Sequence, residues 1–340
     1  MRRIVAALYL LTLPLAAQEQ KKFNLVAATV PGRIEVPPGA NWKPLLLDLY
    51  DDGGRPVFSF VDLATHMTVS LTLFPNKTGE PTAESCRKDV LDPLLKSEES
   101  SSVVTKKKLD TRVTPAGVSL AIGSYFINSM SNIGPSRLTN LPVQLENILG
   151  FLGSVHTCAE IHISKAAYTS ADLPLFNAAL DSFNFDGDYQ PTLKDYSLLA
   201  AVYFRNAKNY FAAAVYYQRA LDALPMAQSP DPSLRRYLTD QLSMSYGMAG
   251  DLNRSRAVNE HAIQIDPTYP LYYYNLACAD AEQGNAADAH THLQQAFDRK
   301  ANTLPGEHLP DPATDHSIIK LKKNKEFWAY VQTLRSQTKP

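Results

Sequence analysis

Four residues in one short stretch, His156, Cys158, Glu160 and His162, are of the types that bind metals or carry protons. They alternate with Thr157, Ala159, Ile161 and Ile163. That period of two predicts a strand over 155–164 with all four polar side chains on one face. The arrangement works against a site. Same-face residues stand about 7 Å apart along a strand, whereas each ligand must come to about 2 Å from a shared ion. At most two neighbours could reach one metal, so the stretch reads as a polar outer face behind an apolar inner one. His290 and His292 are two apart on a predicted helix and point different ways.

The thiols are equally restrained. Cys86 falls on a predicted helix and Cys158 on a predicted strand of the same region, so they could pair and leave Cys278 over. Two buried free thiols fit the sequence as well. The spacing matches no zinc motif. No glycine-rich phosphate loop, Gly-x-Ser-x-Gly or His-Glu-x-x-His segment occurs. These residues predict a non-enzymatic chain with no cofactor and no metal. The alternative is an enzyme, or a small-ligand or metal-binding protein, with its site in the N-terminal half.

What positions these residues is a chain of 340 residues, long enough for two domains, with 45% hydrophobic residues to fill their cores. The formal net charge of −1 argues against nucleic acid as a partner. The longest basic run, Lys106-Lys107-Lys108, reads as a solvated strand edge. Arg2 and Arg3, an apolar run over 4–15 and the small-residue site Leu15-Ala16-Ala17 form a secretory signal pattern over 1–17. An apolar run that short makes no permanent anchor. The expectation is a secreted or periplasmic protein of a bacterial cell envelope, with no stable membrane anchor after cleavage.

Residues 23–188 alternate strand and helix signals. Strands are predicted over 32–36, 57–61, 67–74, 118–127 and 155–164, and helices after Glu80-Pro81-Thr82 and over 170–183. Strands with helices packed to one side give an α+β domain with an antiparallel sheet. Its carrying segments are Val36-Pro37-Pro38-Gly39 with Trp42, and Tyr168 with the closing Ala179-Leu180-Asp181-Ser182-Phe183. In these it resembles a PsbP-like α/β sandwich. That resemblance implies a binding or assembly module. Against that pattern, 131–153 reads as a long insertion.

From about 191 the period changes. Gly250 and Gly284 lie 34 residues apart, and Lys208 holds the same place in an earlier unit. Small residues recur at Ala201, Ser243 and Ala277, and at Ala220, Ala262 and Ala296. Pro225 and Pro267 close the first two units. Residues 191–301 resemble three tetratricopeptide repeats, helix pairs of 34 residues. The whole is therefore an α+β domain followed by an all-α helical-repeat domain. Four residues depart from the pattern: Lys208 for glycine, Ser255 for alanine, Asp280 for an aromatic, and Asn259 in an apolar place. A Pro-rich link and a helical stretch over 302–340 are expected to cap the last repeat or to dock on the N-terminal domain.

The resemblance implies a function: a solenoid that holds a peptide or partner protein on its concave face. Carried over by position, that face holds Leu198, Val202 and Arg205, then Tyr237, Asp240 and Met244, then Leu271, Tyr274 and Cys278. The set is apolar and aromatic with few charges. It predicts a groove for an apolar or extended segment, with Tyr237 and Tyr274 as anchors. The same side chains could instead pack against the N-terminal domain. The oligomeric state stays open.

Overall fold

The computed structural model describes residues 23–36, 42–50, 55–96, 104–127, 145–224 and 232–335. The predicted signal over 1–17 lies outside them. So does Pro37-Pro38-Gly39, part of the PsbP-like resemblance.

The N-terminal domain carries two antiparallel sheets. In the small one, β2 (Arg33–Val36) sits between β1 (Phe23–Val26) and β10 (Asn184–Asp186). The large one runs, in spatial order, β3 (Trp42–Tyr50), β4 (Arg55–Asp62), β5 (Met67–Pro75), β9 (Thr157–Ala166), β8 (Leu145–Gly153), β7 (Ser119–Ile127) and β6 (Val104–Val113). The last nine residues of the supposed insertion over 131–153 are therefore strand β8, and the rest lies outside the described residues. The sheet's register follows its pattern. Leu71 stands opposite Phe58 on one side and Ile161 on the other. All three are buried. Lys106, Lys107 and Lys108 do lie on an edge strand, at a bulge where Lys106 has φ 51°. Charge and bulge together discourage another strand from adding there.

The helices do not pack to one side, as the sequence suggested. Helix α1 (Ala83–Lys96) covers one face and α2 (Leu173–Asp181) the other. Glycines permit both contacts. A Cβ on Gly123 would lie 1.8 Å from Leu91 of α1, and one on Gly150 would lie 2.9 Å from Leu180 of α2. The two sides of the sheet have separate cores because each has its own helix. Under α1, Cys86 and Cys158 form a disulfide with Cα atoms 5.5 Å apart, so of the two readings left open the paired one holds.

The second half is a run of antiparallel helix pairs. They are α3 (Leu193–Val202) with α4 (Tyr210–Asp222), α5 (Ser233–Met248) with α6 (Leu252–Ile265), and α7 (Pro270–Glu282) with α8 (Ala286–Asp298). Each pair turns through a left-handed residue: Lys208 (φ 56°), Gly250 (φ 83°) and Gly284 (φ 79°). The next residue caps the second helix each time. Asn209, Asp251 and Asn285 accept the amides of Ala212, Arg254 and Asp288. The other departures from the repeat pattern are buried in partnership. Asn259 donates to Ser243 Oγ at 2.5 Å, and Ser243 Oγ lies 3.0 Å from Ser255 Oγ. Asp280 accepts from Arg256 and, at 2.6 Å, from His292 Nδ1.

The two halves share a core. Leu25, Val26 and Ala27 are buried with Ala212, Ala213, Tyr203 and Tyr216. Tyr216 donates to the Val26 carbonyl at 3.3 Å. Its ring stacks on Tyr203 with centroids 5.4 Å apart, and Tyr203 in turn meets Phe58 of β4. At the other end the expected terminal helix is two, α9 (His316–Ile319) and α10 (Lys325–Leu334). Of the two places expected for it, the last repeat is the one it covers. Ile318, Phe327, Val331 and Leu334 are buried with Tyr274, Ala289 and Leu293.

Candidate partner-binding groove

The first helix of each pair carries the positions expected on a concave face, and from the second pair to the third those positions recur every 34 residues. Asp240 and Tyr274 are equivalent, as are Met244 and Cys278. In the structure Asp240, Met244, Leu271, Tyr274 and Cys278 line one cavity of about 450 Å³ between α5 and α7. Its third wall is the chain's own C-terminal segment, through Pro310, Asp315 and Ser317. Five of the nine predicted groove residues are thus brought together.

The other four are not. Leu198 is 58% exposed and Arg205 is exposed on the π-helical stretch Tyr203–Ala207 that continues α3. Val202 and Tyr237 are half-buried against the shared core. The N-terminal domain therefore leaves Leu198 and Arg205 uncovered. It meets the first helix pair through Tyr203 and Tyr216. Tyr274 also differs from its expected role as an anchor. It is 2% exposed and donates to Asp315 Oδ2 at 3.4 Å, so it is part of the wall. Burial pushes its phenol up, and Asp315 adds to the effect.

The floor is more polar than the sequence suggested. Asp240, 4% exposed, accepts from Asn275 Nδ2 at 2.8 Å and from Gln241 Nε2 at 3.2 Å. Burial pushes its carboxyl up to about 6, against those two hydrogen bonds. Gln241 Oε1 in turn accepts from Tyr217 at 3.5 Å. Gln241 and Asn275 were missed, although their spacing is again 34 residues and that signal could have found them. Burial also raises the Cys278 thiol well above its usual range, with the nearby Asp315 carboxylate reinforcing it. Such a thiol is a poor nucleophile.

The residues first weighed for chemistry separate. His156 lies in the turn before β9, Cys158 is in the disulfide, and His162 donates to Asn147 Oδ1 at 3.0 Å. Burial holds the His162 imidazole down to about 4, so it is neutral near pH 7. The polar outer face is in fact half covered, since Cys158 is buried under α1. No group of three or more His, Cys, Asp or Glu residues suited to a metal occurs among the described residues. None of the described helices is long and apolar enough to cross a membrane.

A larger cavity, about 650 Å³, opens on the other side of the repeats near Arg235, His261 and Tyr272. It runs between Leu224 and Pro232, and 225–231 lies outside the described residues. The groove cavity is the better defined of the two, because described residues wall it on three sides.

No family model and no curated protein matches the sequence. Solved structures similar to parts of it include the tetratricopeptide domain of Sgt2 from Aspergillus fumigatus. That match is 14% identical over 42% of this chain and 83% of that one, with a TM-score of 0.30. Another is a protein from Bacteroides thetaiotaomicron, 10% identical over 62% of this chain and 74% of that one, with a TM-score of 0.29. Scores this low carry no weight, and the helical-repeat architecture rests on the helix pairs, turns and caps of the chain itself.

Proposed function

We propose that this chain is a non-enzymatic binding protein that holds a segment of a partner protein in its short repeat groove. The observation that carries this reading is the cavity between α5 and α7. The concave repeat positions converge there, and apolar side chains of Met244, Met248 and Leu271 line it. Met248 is 57% exposed at its rim. A concave apolar wall with a few placed polar groups is the usual form of a binding site.

We place the protein outside the cytoplasm, in a bacterial envelope or secreted. The signal pattern over 1–17 supports this, and so does the Cys86–Cys158 disulfide, which persists in oxidising compartments. The PsbP-like resemblance would make the N-terminal domain a second binding or assembly module.

Crosslinking in intact cells, followed by mass spectrometry, tests the groove. Met244→Glu with Met248→Glu places charge on its rim without opening the buried wall that Tyr274→Ala would disturb. One envelope protein is expected to be enriched with the natural chain and lost with the double variant. Equal enrichment with both would remove the groove from the account.

A further inference from the structure

The cavity's charges are one-sided. Asp240, Glu282 and Asp315 line it, with His316 as the ionisable base among its described lining residues. Two of these acids are already engaged. Glu282 pairs with Lys320. Asp315 caps α9 through the amides of Ser317 and Ile318 and accepts from Tyr274. Asp240 differs. Its hydrogen bonds come from two neutral amides, and no cation lies within ion-pair distance of it among the described residues. A buried carboxylate without a counter-charge is costly, and a cation brought to it from outside recovers part of that cost.

The walls beside it are of another kind. Met244 and Leu271 are apolar, and Ala279 is small and buried. A ligand group that satisfies both surfaces has an aliphatic stem and a cationic tip. Long basic side chains have this form.

We propose that the cavity takes a lysine or arginine side chain of the bound segment, with its stem along Met244 and Leu271 and its cation against Asp240. The proposal rests on the groove reading above and narrows it, from any apolar segment to one that carries a basic residue among apolar neighbours.

A displayed library of short random peptides, selected on the full chain, tests it. Enriched peptides are expected to share a lysine or arginine flanked by apolar residues. Replacing that residue with norleucine in the synthetic peptide keeps the stem and removes the charge. The change is expected to weaken binding to the natural chain about tenfold or more, and binding to Asp240→Asn less than about twofold. The norleucine comparison on the natural chain needs no altered protein, so poor folding of the variant cannot hide the answer. Enrichment of uncharged or acidic peptides, or equal binding of the lysine and norleucine forms, overturns the proposal. In that case the groove reading stands if Met244→Glu still abolishes binding. A library from which nothing is enriched overturns both.

Discussion

The two ends of the repeat array are closed in opposite ways. At the N-terminal end the closure is dry. Tyr203, Tyr216 and the run Ala212-Ala213-Ala214 are buried against β1 and β4, and Tyr216 donates across to the Val26 carbonyl. At the C-terminal end it is wired. Tyr269 donates to Glu307 at 2.8 Å, Lys320 pairs with Glu282, and Tyr274 meets Asp315. Alanine lets backbones approach closely, and the tyrosine rings fill what remains, so the first helix pair is built into the sheet domain. Charged contacts depend on protonation and salt. The groove lies beside the wired end, where the chain's own tail forms a wall that changes in solution conditions can reach.

The comparison breaks most readily at Tyr216. Tyr216→Ala removes a fully buried ring from the shared core and is expected to cost about 3–5 kcal/mol in urea unfolding. Tyr216→Phe, which keeps the ring and loses the hydroxyl's hydrogen bonds, among them the one to Val26, should cost about 1 kcal/mol. If the halves are one body, the sheet and the helices lose stability together in Tyr216→Ala. Loss of helix signal while the sheet stays intact would show that the dry end is only a contact between independent domains.

Beside the wired end, the polar network that joins α6, α7 and α8 is probed by Asp280. Although burial raises its carboxyl, hydrogen bonds from His292 and Arg256 hold it below the usual carboxylate range. Asp280→Ala leaves Arg256 without that partner. The expected cost is about 2–3 kcal/mol, less than for a fully buried pair because Arg256 is partly exposed. The sign of the pH dependence follows. With the folded value below the unfolded one, the stabilisation is present above about pH 4 and lost as pH falls through the folded value. The stability difference between natural and variant chains should therefore shrink below about pH 4. A difference that is flat across that range would mean the ion pair is not what the variant removes.

These two networks also mark what the sequence could and could not convey. The repeat frame was legible because its signals are local and periodic: a left-handed turn residue and a small contact residue in each unit, and a closing proline in the first two. Even Lys208 in glycine's place was legible, from the frame of Ala201, Ala220 and Pro225 around it. Asp280 and Asn259 were legible only as departures. What makes them tolerable is a set of partners, His292 and Arg256 for one and Ser243 and Ser255 for the other, that become neighbours only when helices stack. Strand β6 was legible at its lysines, read as a strand edge, whereas β8 was obscured by the Asn- and Pro-rich residues before it. The side of the sheet that each helix covers depends on glycines at Gly123 and Gly150, whose meaning is set across strands. The groove was half legible. Five positions converge, but the tail that walls it carries no repeat signal.

Asp240 sharpens the contrast within the groove, because it lies at the wired end without a cation. Its folded value, about 6, is above the usual carboxylate range. Its ionisation therefore opposes folding, and stability falls as pH rises from about 4 to about 6. Asp240→Asn should stabilise the protein by about 1–3 kcal/mol at pH 7 and by almost nothing at pH 4, measured as urea midpoints at the two values. Asn275 and Gln241 donate to different oxygens of Asp240, so the variant keeps an acceptor for only one of them, and the lost bond takes about 1 kcal/mol from the gain. A variant less stable than the natural chain at pH 7 would mean that the carboxylate already has a cation in solution, and the wired end would then be complete without a ligand.

The smallest effect tests whether the three units obey one rule. Lys208, Gly250 and Gly284 occupy the same turn, but a side chain in the left-handed region costs about 1–2 kcal/mol in sterics, while glycine loses more freedom on folding, about 0.4–1 kcal/mol. The net favours glycine slightly. Lys208→Gly should stabilise by about 0.5–1 kcal/mol, and Gly250→Lys should destabilise by a similar amount, with nothing within 4 Å of a Cβ there to add a clash. Opposite signs of equal size would show that the turn alone sets the energy and that the dry end adds nothing to it. A loss of stability in Lys208→Gly would mean that the first unit's turn, next to the π-helical stretch Tyr203–Ala207, is held by its packing on β3 and needs the lysine stem there.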